Sequence, residues 1–468
     1  MKHSSKNILL VNPPFEKIYE KMSMKGVAPL TPPLGLACIA GSLLRNNHKV
    51  EIFDFNLHES SEEFINKLKE FQPDFVGITF VTPLIKEAER ISKIVKKINQ
   101  NTILIGGGPH CSSFPESSIK EALLDIAVMG EGEFSIIDIV NGKNLEKIKG
   151  IAYKKKNKIC INQRREPIQN LDVLPFPAYE LYDLKKYKTP LAIARKNPVA
   201  WVETSRGCIY GCIYCNKSVF GRNFRVKSPE RVIKEFIKVR EMGFNEIHIA
   251  DDSFSTDIKR AKKICDLLIK NNIRILWSTI TGIRVNQVDL ELLIKMKKTG
   301  CYRVYFGIES GNQGILNNIR KGITLEQVRN AVKWSKEAGL EVAGYFMIGL
   351  PGETEKTMQQ TIDFAKSLDL DLAKMSITIP LPATEMFNEL KIKNLIKTYD
   401  WEKFKFYSAP STIYNHENLD WKIIEKYYKK FYRTLYINPS FILKRIKSSI
   451  KNKTFFEDVK TALSIKWI

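Results

Sequence analysis

The sequence predicts an α/β protein. We expect a Rossmann-like domain with a parallel sheet, then a partial (β/α)6 barrel, then a small helical C-terminal segment. Two observations support this fold class. Short apolar runs alternate with helical patterns in two separate series, and such strands indicate parallel sheets covered on both faces. A proline-containing stretch at residues 171–179 lies between the series. The expected domains are residues 1–145 and 196–400, with a linker at 146–195 and the helical segment at 401–468.

The first series contains predicted strands at residues 8–11, 50–53, 75–79 and 102–105, and predicted helices at 34–46, 60–71 and 83–98. Sheets of this kind bind ligands beyond the carboxyl ends of their strands. A glycine run at such an end lets the backbone approach a bulky ligand. The pattern alone also fits a Rossmann-like module that binds nothing. The candidate binding residues at these strand ends are Asn12, Thr79, Thr82, Gly106, Gly107, Gly108 and His110.

The second series follows a charged segment at residues 153–158 that we expect to form a hairpin. Its predicted strands lie at residues 199–202, 246–250, 274–278, 303–307, 342–347 and 372–378. These strand–helix units suit a partial barrel, and the functional residues of a barrel lie on the loops after its strands.

Charge and cysteine content narrow the function classes. The chain has 74 Lys and Arg against 51 Asp and Glu, a formal charge of +23. The lysines are spread along every segment, whereas a nucleic-acid surface clusters Arg and aromatic residues, so we expect no nucleic-acid partner. Most of the eight Cys are scattered through apolar surroundings. That pattern is typical of a reducing compartment, and with no visible signal peptide it predicts a cytoplasmic protein.

Cys208, Cys212 and Cys215 follow the first predicted barrel strand. Their spacing lets one loop present three thiolates to one inorganic centre and leaves one metal position open. An iron–sulfur cluster with such an open iron can bind and activate a small molecule. The alternatives are buried unpaired thiols or a structural zinc loop. Zinc needs a fourth ligand, and His248, the nearest His, lies in a predicted strand.

With Tyr214 before the last Cys and Thr204-Ser-Arg-Gly207 before the first, this stretch resembles the radical SAM superfamily. The resemblance implies that the three Cys bind a [4Fe–4S] cluster whose fourth iron takes the amino and carboxylate groups of S-adenosylmethionine (SAM). Reductive cleavage of SAM would then release a 5′-deoxyadenosyl radical. It also implies an external electron donor such as flavodoxin or ferredoxin.

The ends of the later strands also resemble that superfamily and imply a SAM site. Asp251 and Asp252 would hold the SAM ammonium, and Arg284 would pair with its carboxylate. Two alternatives remain: Asp252 or Ser253 as a helix N-cap, and Arg284 as a solvated arginine. Glu309 and Ser310 would reach the ribose hydroxyls, and the backbone at Gly349 would approach adenine. The chain departs from the family pattern at Ala383, where a Gly is frequent.

The N-terminal part resembles the cobalamin-binding domain found ahead of some radical SAM domains. The resemblance covers about residues 8–140 and rests on Asn12-Pro-Pro14, Pro33-Leu-Gly-Leu36, Thr79-Phe-Val-Thr82, Gly106-Gly-Gly-Pro-His110 and Met129-Gly-Glu-Gly-Glu133. It implies cobalamin as a ligand of the candidate residues above. Methionine-synthase-like domains carry an Asp-x-His-x-x-Gly loop where this chain has Asn12-Pro-Pro-Phe15. We therefore expect no axial His from that loop, and His110 either binds cobalamin or orders its own loop.

Together these resemblances imply a cobalamin-dependent radical SAM enzyme that methylates an unactivated carbon of a small-molecule or lipid-like substrate. A second possibility is cobalamin-assisted cyclisation or another oxidative rearrangement. A methylthiotransferase would carry three further Cys in its N-terminal domain, and this chain offers only Cys38 and Cys111 there. A cobalamin sensor without enzyme activity would not need the Cys triad.

The C-terminal segment combines aromatic and basic residues on a predicted helical face. It contains Trp421, Tyr427, Tyr428, Lys429, Lys430, Phe431, Tyr432, Arg433, Leu435 and Tyr436. This face either packs on the barrel and closes its open side, or rests on anionic lipid as a peripheral membrane contact.

Overall fold

The computed structural model describes residues 4–18, 29–58, 60–405, 410–452, 454–456 and 459. The first part of the chain contains β1 Asn7–Asn12, α1 Leu34–Arg45, β2 Lys49–Asp54, α2 Ser61–Phe71, β3 Phe75–Thr79, α3 Ile85–Ile98, β4 Ile103–Gly107, α4 Pro109–Ser113, α5 Pro115–Glu121, β5 Ile126–Val128, α6 Glu133–Val140, β6 Ile151–Lys155 and β7 Lys158–Ile161.

The remainder contains β8 Val199–Val202, β9 Ser205–Arg206, β10 Arg225–Val226, α7 Pro229–Glu241, β11 Glu246–Ile249, α8 Ile258–Lys270, β12 Leu276–Ser278, α9 Leu290–Lys298, β13 Cys301–Glu309, α10 Gln313–Asn318, α11 Leu325–Glu337, β14 Glu341–Ile348, α12 Glu355–Ser367, β15 Leu372–Ile377, α13 Glu385–Ile392, α14 Trp421–Tyr436 and α15 Pro439–Asn452.

The first sheet has the strand order β2-β1-β3-β4-β5-β6-β7. Its first five strands are parallel, and helices cover both faces, which is why β1 is apolar and buried from Ile8 to Val11. The order 2-1-3-4-5 places a ligand crevice at the carboxyl ends of β1 and β3, where the connections change sides. The last two strands are antiparallel and form a hairpin. The segment predicted as a linker at 146–195 therefore begins with two strands that belong to this sheet.

The second sheet consists of six parallel strands in the order β8-β11-β12-β13-β14-β15. Each of the six predicted barrel strands is present, so the predicted fold class is confirmed. The sheet curves without closing, and β8 and β15 form its two edges. The loops after the strands all lie at one end, where the chemistry of a barrel is found.

Tyrosine side chains cover both edges of this open barrel. On α14, Tyr436 bonds the backbone N–H and C=O of Ala373, and Tyr432 bonds those of Met375. Both strand residues are on β15, so the two hydroxyls take the place of a neighbouring strand. At the other edge, the Tyr179 hydroxyl donates to the Trp201 carbonyl of β8 at 2.6 Å.

The C-terminal segment contacts both parts of the chain. Its helix α14 packs on α12 and β15, while Trp401 reaches the first domain, with its ring 5.8 Å from that of His110 and 4.9 Å from that of Phe114. Packing on the open side of the barrel is thus observed for α14. The predicted segment 401–468 also includes residues 406–409, 453, 457–458 and 460–468, which lie outside the described residues. Among the helices that are described, none is long and apolar enough to cross a membrane.

Candidate functional site

The three-cysteine loop begins directly after β8 and the short strand β9. Its base is held by Asp251, which follows β11. The Asp251 carboxylate accepts hydrogen bonds from the Thr204 N–H at 2.5 Å, the Thr204 hydroxyl at 2.5 Å and the Ser205 hydroxyl at 2.7 Å. Asp251 is fully buried, and burial raises its pKa. Asp251 thus fixes the strand that leads to Cys208. Its predicted contact with SAM stays a prediction.

Asp252 lies beside the loop, where it accepts a hydrogen bond from the Gly207 N–H at 3.0 Å. Unlike its neighbour, Asp252 is exposed, so it can reach a ligand near the thiols. Gly207 has φ +82°, and a Cβ there would lie 2.3 Å from the Asn223 carbonyl oxygen. Only glycine allows the chain to turn at this point into the Cys loop.

The Cys loop is anchored by the buried residue Ile213 between the second and third Cys. Its N–H donates to Ile319 O at 3.2 Å, and its carbonyl accepts from Met386 N at 3.1 Å. Cys208 and Cys212 are half-buried and Cys215 is exposed. The three thiols remain accessible while the backbone between them is fixed.

The donor set fits a cluster better than a single zinc ion. Within the described part of the chain, no three His, Cys, Asp or Glu side chains converge as one metal ion requires. A [4Fe–4S] cluster binds each thiolate on a different iron, so its Cys ligands need not meet at one point. The second and third Cys lie on one turn, since the Cys215 N–H donates to the Cys212 carbonyl at 3.3 Å. His248 is fully buried and bonded to Glu246 at 2.8 Å, so it is no zinc ligand.

Arg284 stacks on the Cys loop. Its guanidinium lies 3.4 Å from the ring centroid of Tyr210, between the first two Cys. Its Nη2 donates to the carbonyls of Lys321 and Gly322, the latter at 3.1 Å. Arg284 is 6% exposed, which excludes the solvated alternative. The side chain is therefore oriented before any carboxylate binds.

Glu309 ends β13 and pairs with a cation that the sequence analysis did not identify. Its Oε1 accepts from Lys321 Nζ at 2.7 Å, and both side chains are buried. Glu309 has φ +67°, a conformation that is strained for any residue except glycine. Burial and the nearby Glu309 carboxylate together raise the pKa of Tyr214 well above its usual value. The carboxylate thus stands directly beside the Cys loop.

Ser310 and Gly349 are held by other parts of the chain. The Ser310 hydroxyl is buried and bonds the Thr361 hydroxyl of α12 at 3.1 Å. Gly349 has φ +77°, and its N–H donates to Glu353 at 2.6 Å. Burial raises the pKa of Glu353 to about 7. Both residues shape the loops after their strands, and their contacts with SAM stay predictions.

A cavity of about 300 Å³ lies between the first sheet and the strand leading to the Cys loop. Four of the predicted cobalamin residues line it: Thr79, Gly106, Gly107 and Gly108. A Cβ added at Gly107 or Gly35 would meet no atom within 4 Å. Side chains at these positions would project into open space. The glycines therefore leave room for a bulky ligand to approach the backbone.

The other predicted cobalamin residues lie outside this lining. Asn12 donates to Asp54 Oδ1 at 2.9 Å. His110 is fully buried, with Nδ1 3.2 Å from the Thr82 hydroxyl and with Trp401 packed against its ring. Burial lowers the pKa of His110 to about 4, so it is neutral. Its contacts match the loop-ordering alternative.

A buried ion network in the wall of the cavity joins the first domain to β9 and β10, which pair with each other. Arg206, two residues before Cys208, donates to Glu131 at 2.8 Å, Glu133 at 2.5 Å and Glu203 at 2.7 Å. Arg225 also donates to Glu131 at 2.8 Å. Burial opposes ionisation of Glu133, but the charge of Arg206 outweighs it and lowers its pKa. Both motifs are visible in the sequence, but their pairing follows only from the fold.

Comparison with known proteins places these features in a family. The model for the radical SAM superfamily matches residues 202–365, and that for the B12 binding domain matches residues 24–139. An uncharacterised methyltransferase of Pyrococcus horikoshii, PH0819, is 38% identical over 447 residues, which cover 94% of each chain. The anaerobic magnesium-protoporphyrin IX monomethyl ester cyclase of Rubrivivax gelatinosus is 29% identical over 88% of this chain and 75% of its own.

Among solved structures, the cobalamin-dependent radical enzyme OxsB with aqua-cobalamin bound superposes with a TM-score of 0.74. The match covers 98% of this chain and 72% of that one at 19% identity. At this identity the likeness shows a shared fold. In this chain, the matched B12 binding domain contributes the glycines that line the cavity. The matched radical SAM domain contains the three-cysteine loop.

Proposed function

We infer the function from one premise: the chain belongs to the radical SAM superfamily, in the group that carries a B12 binding domain ahead of the radical SAM domain. It is an enzyme, and its cofactors are a [4Fe–4S] cluster, SAM and cobalamin. The reaction that we propose is transfer of a methyl group to an unactivated carbon of a small-molecule or lipid-like substrate. The name of the Pyrococcus relative supports methyl transfer.

One observation carries this proposal. The residues that lead into the Cys loop, Glu203 and Arg206, also line the glycine-walled cavity. A corrinoid held at that cavity and a cluster held by Cys208 would therefore be adjacent, separated only by a short and rigid stretch of chain. A methyl donor and a radical source must lie this close for both to act on one substrate.

When bound, the reduced cluster supplies the electron that cleaves SAM to methionine and a 5′-deoxyadenosyl radical, and cobalamin supplies the methyl group. The chain's own residues bind and orient these groups. Cys208, Cys212 and Cys215 would hold the cluster. The Asp252 carboxylate would accept hydrogen bonds from the SAM ammonium. Arg284, which stacks on Tyr210, would pair with the SAM carboxylate.

The Glu309 carboxylate would accept hydrogen bonds from the ribose hydroxyls. A carboxylate has enough lone pairs to bond Lys321 and a ligand at the same time. In the first domain, Thr79, Gly106, Gly107 and Gly108 would contact the cobalamin. A cavity of about 300 Å³ accommodates one part of that large molecule. Because the segment 13–33 after β1 contains no His, no imidazole from that loop would contact the cobalamin.

Cyclisation is the second candidate reaction, and the Rubrivivax relative favours it. Both reactions need the same cofactors and the same radical, so the geometry of the SAM site does not distinguish them. Incubation of host extract with methyl-labelled SAM does. Methionine from reductive cleavage keeps the label in both reactions. Label in a further product derived from the extract supports methyl transfer, whereas an unlabelled, rearranged product supports cyclisation.

We also propose a peripheral contact with anionic lipid through α15. This helix exposes Ile442, Leu443, Ile446 and Ile450, the side chain of Leu443 being 60% exposed. Between residues 439 and 452 the sequence has four basic residues and no acidic one, and one of the four, Lys444, pairs with Asp369 and Asp371. An apolar helix face with basic flanks fits the boundary between acyl chains and anionic headgroups. Such a contact would suit a lipid-like substrate.

The remaining partner is an external one-electron donor, for which we propose a flavodoxin or a ferredoxin. Cys215 is the most exposed of the three cluster ligands. An electron entering on that side would cross little protein.

A further inference from the structure

The turn that follows α10 contacts three separate parts of the proposed SAM site. The Ile319 carbonyl accepts from Ile213 N in the Cys loop at 3.2 Å. The carbonyls of Lys321 and Gly322 accept from Arg284. The Lys321 ammonium bonds Glu309 at 2.7 Å. One short turn therefore links the cluster loop, the proposed carboxylate partner and the proposed ribose partner.

The ion pair between Lys321 and Glu309 is buried, with side-chain exposures of 8% and 10%. Removing two such charges from water is costly, so a buried pair is expected where a fixed geometry is needed. The backbone points the same way, because a non-glycine residue at φ +67° persists only where its surroundings hold it.

Gly307, two residues earlier on β13, makes room for the pair. A Cβ at this position would lie 2.8 Å from Glu309 Oε1 and 2.9 Å from Lys321 Nζ. The Lys321 ammonium therefore lies against the backbone of Gly307, where it bonds the Glu309 carboxylate. No described contact takes the ammonium elsewhere, since Glu309 is the one acceptor of Lys321 Nζ among the bonds of the described residues.

We propose that Lys321 is a positioning residue for the nucleoside end of SAM. Its ammonium fixes the Glu309 carboxylate, while the backbone of the same turn fixes Arg284, so the turn sets the distance between the ribose and carboxylate subsites. This inference rests on the proposed assignment of Glu309 to the ribose. It assigns Lys321 no direct contact with the ligand.

The matched variants are Lys321→Met and Arg320→Met. Arg320 is the neighbouring cation on the same turn, but it is exposed and pairs with Glu385 at 2.7 Å. The protein is reconstituted with its cluster, and binding of SAM, 5′-deoxyadenosine and methionine is measured by anaerobic equilibrium dialysis. Iron content and melting temperature are recorded for each variant.

We expect Lys321→Met to weaken SAM and 5′-deoxyadenosine by about tenfold, as for loss of a hydrogen bond to a charged group, and to leave methionine binding unchanged. Arg320→Met should change none of the three. Equal losses for methionine and the nucleoside, or no loss for either, would overturn the positioning role. A wild-type protein that bound no SAM would overturn the proposed function, whereas wild-type binding that Lys321→Met leaves unchanged would overturn this inference alone.

Lys321→Met leaves a buried carboxylate without its partner and is at risk of misfolding. The double variant Glu309→Gln with Lys321→Met removes both charges. If Lys321 acts only through Glu309, the double variant should bind SAM as weakly as Glu309→Gln alone and no more weakly. A further loss in the double variant would instead show an independent role for Lys321.

Discussion

Arg206 Nη1 and Glu131 Oε1 are 2.8 Å apart, and this contact joins the strand leading to the Cys loop to the loop after β5. Both side chains are buried. Because Glu131 and Arg206 also line the cavity, the ion pair fixes the cavity relative to the Cys loop. With the cofactors placed as proposed above, the distance between them would depend on this pairing.

Glu131→Ala should destabilise the protein by about 3–5 kcal/mol, because it leaves Arg206 and Arg225 buried without their shared carboxylate. The measurement is the urea midpoint of the holoprotein. Glu116→Ala is the control, since Glu116 pairs with Lys120 on the surface at 2.7 Å and such pairs contribute little. Equal shifts for the two variants would contradict a structural role for the buried network.

Cys208→Ala, Cys212→Ala and Cys215→Ala should each abolish reductive cleavage of SAM, because each removes one of three cluster ligands. The reconstituted wild-type protein should contain about four irons per chain. Iron content and 5′-deoxyadenosine release are measured anaerobically. Cys265→Ala is the control, because this buried thiol lies on α8 and should leave both values unchanged. Continued formation of 5′-deoxyadenosine by the triad variants would show that the ligand assignment is wrong.

Bound cob(II)alamin should give an electron paramagnetic resonance spectrum without nitrogen splitting from a protein imidazole. The reason is that Asn12-Pro-Pro14 replaces the His loop and that His110 is enclosed by Thr82 and Trp401. His110→Ala should leave the spectrum unchanged. A splitting that disappears in this variant would instead identify His110 as an axial ligand.

Methyl transfer consumes one SAM for the methyl group and a second for the radical. The enzyme should therefore release S-adenosylhomocysteine and 5′-deoxyadenosine in roughly equal amounts. Chromatographic quantification of both products in the presence of host extract tests this ratio. Substrate-dependent 5′-deoxyadenosine without S-adenosylhomocysteine would exclude methyl transfer and favour the rearrangement.

Vesicles of phosphatidylglycerol should bind the protein more tightly than vesicles of phosphatidylcholine, and high salt should weaken the contact. Leu443→Glu combined with Ile450→Glu should reduce binding at least about tenfold, since two apolar side chains no longer enter the acyl region. Ile392→Glu is the control, because Ile392 is 81% exposed on α13. A different result would be unchanged vesicle binding by the double variant together with a fall in the mass of the protein from dimer to monomer. That result would show that a second copy of the chain covers this face.

The sequence was sufficient where the signal is local. Continuous apolar runs predicted the six barrel strands. The resemblance carried by the Cys motif implied the superfamily with its cluster and SAM, the resemblance of the N-terminal motifs implied cobalamin, and the comparisons confirm both. The hairpin of β6 and β7 was also expected, but its pairing with β5 was not. Short polar strands carry no signal for the sheet that they join.

Partners distant in sequence could not be predicted. Arg206 and Glu131 are 75 positions apart, and nothing in either motif specifies which charge it meets. Lys321 lies in a segment of ordinary composition and is assigned only by the fold, which brings it to Glu309. Asp251 is a further example: the family resemblance implied a contact with SAM, which stays a prediction, but the bonds of its carboxylate to Thr204 and Ser205 had no signal in the sequence.

The tyrosines on the barrel edges have a consequence for solubility. The free edge of a parallel sheet exposes backbone groups that can template strand pairing between molecules and lead to aggregation. On β15 those groups are bonded to the hydroxyls of Tyr432 and Tyr436. The backbone groups of Ala373 and Met375 are therefore not available to pair with a strand of a second chain. Loss of α14 would leave these groups exposed. A barrel with six strands can thus remain open for its substrate without becoming a nucleus for edge-to-edge association.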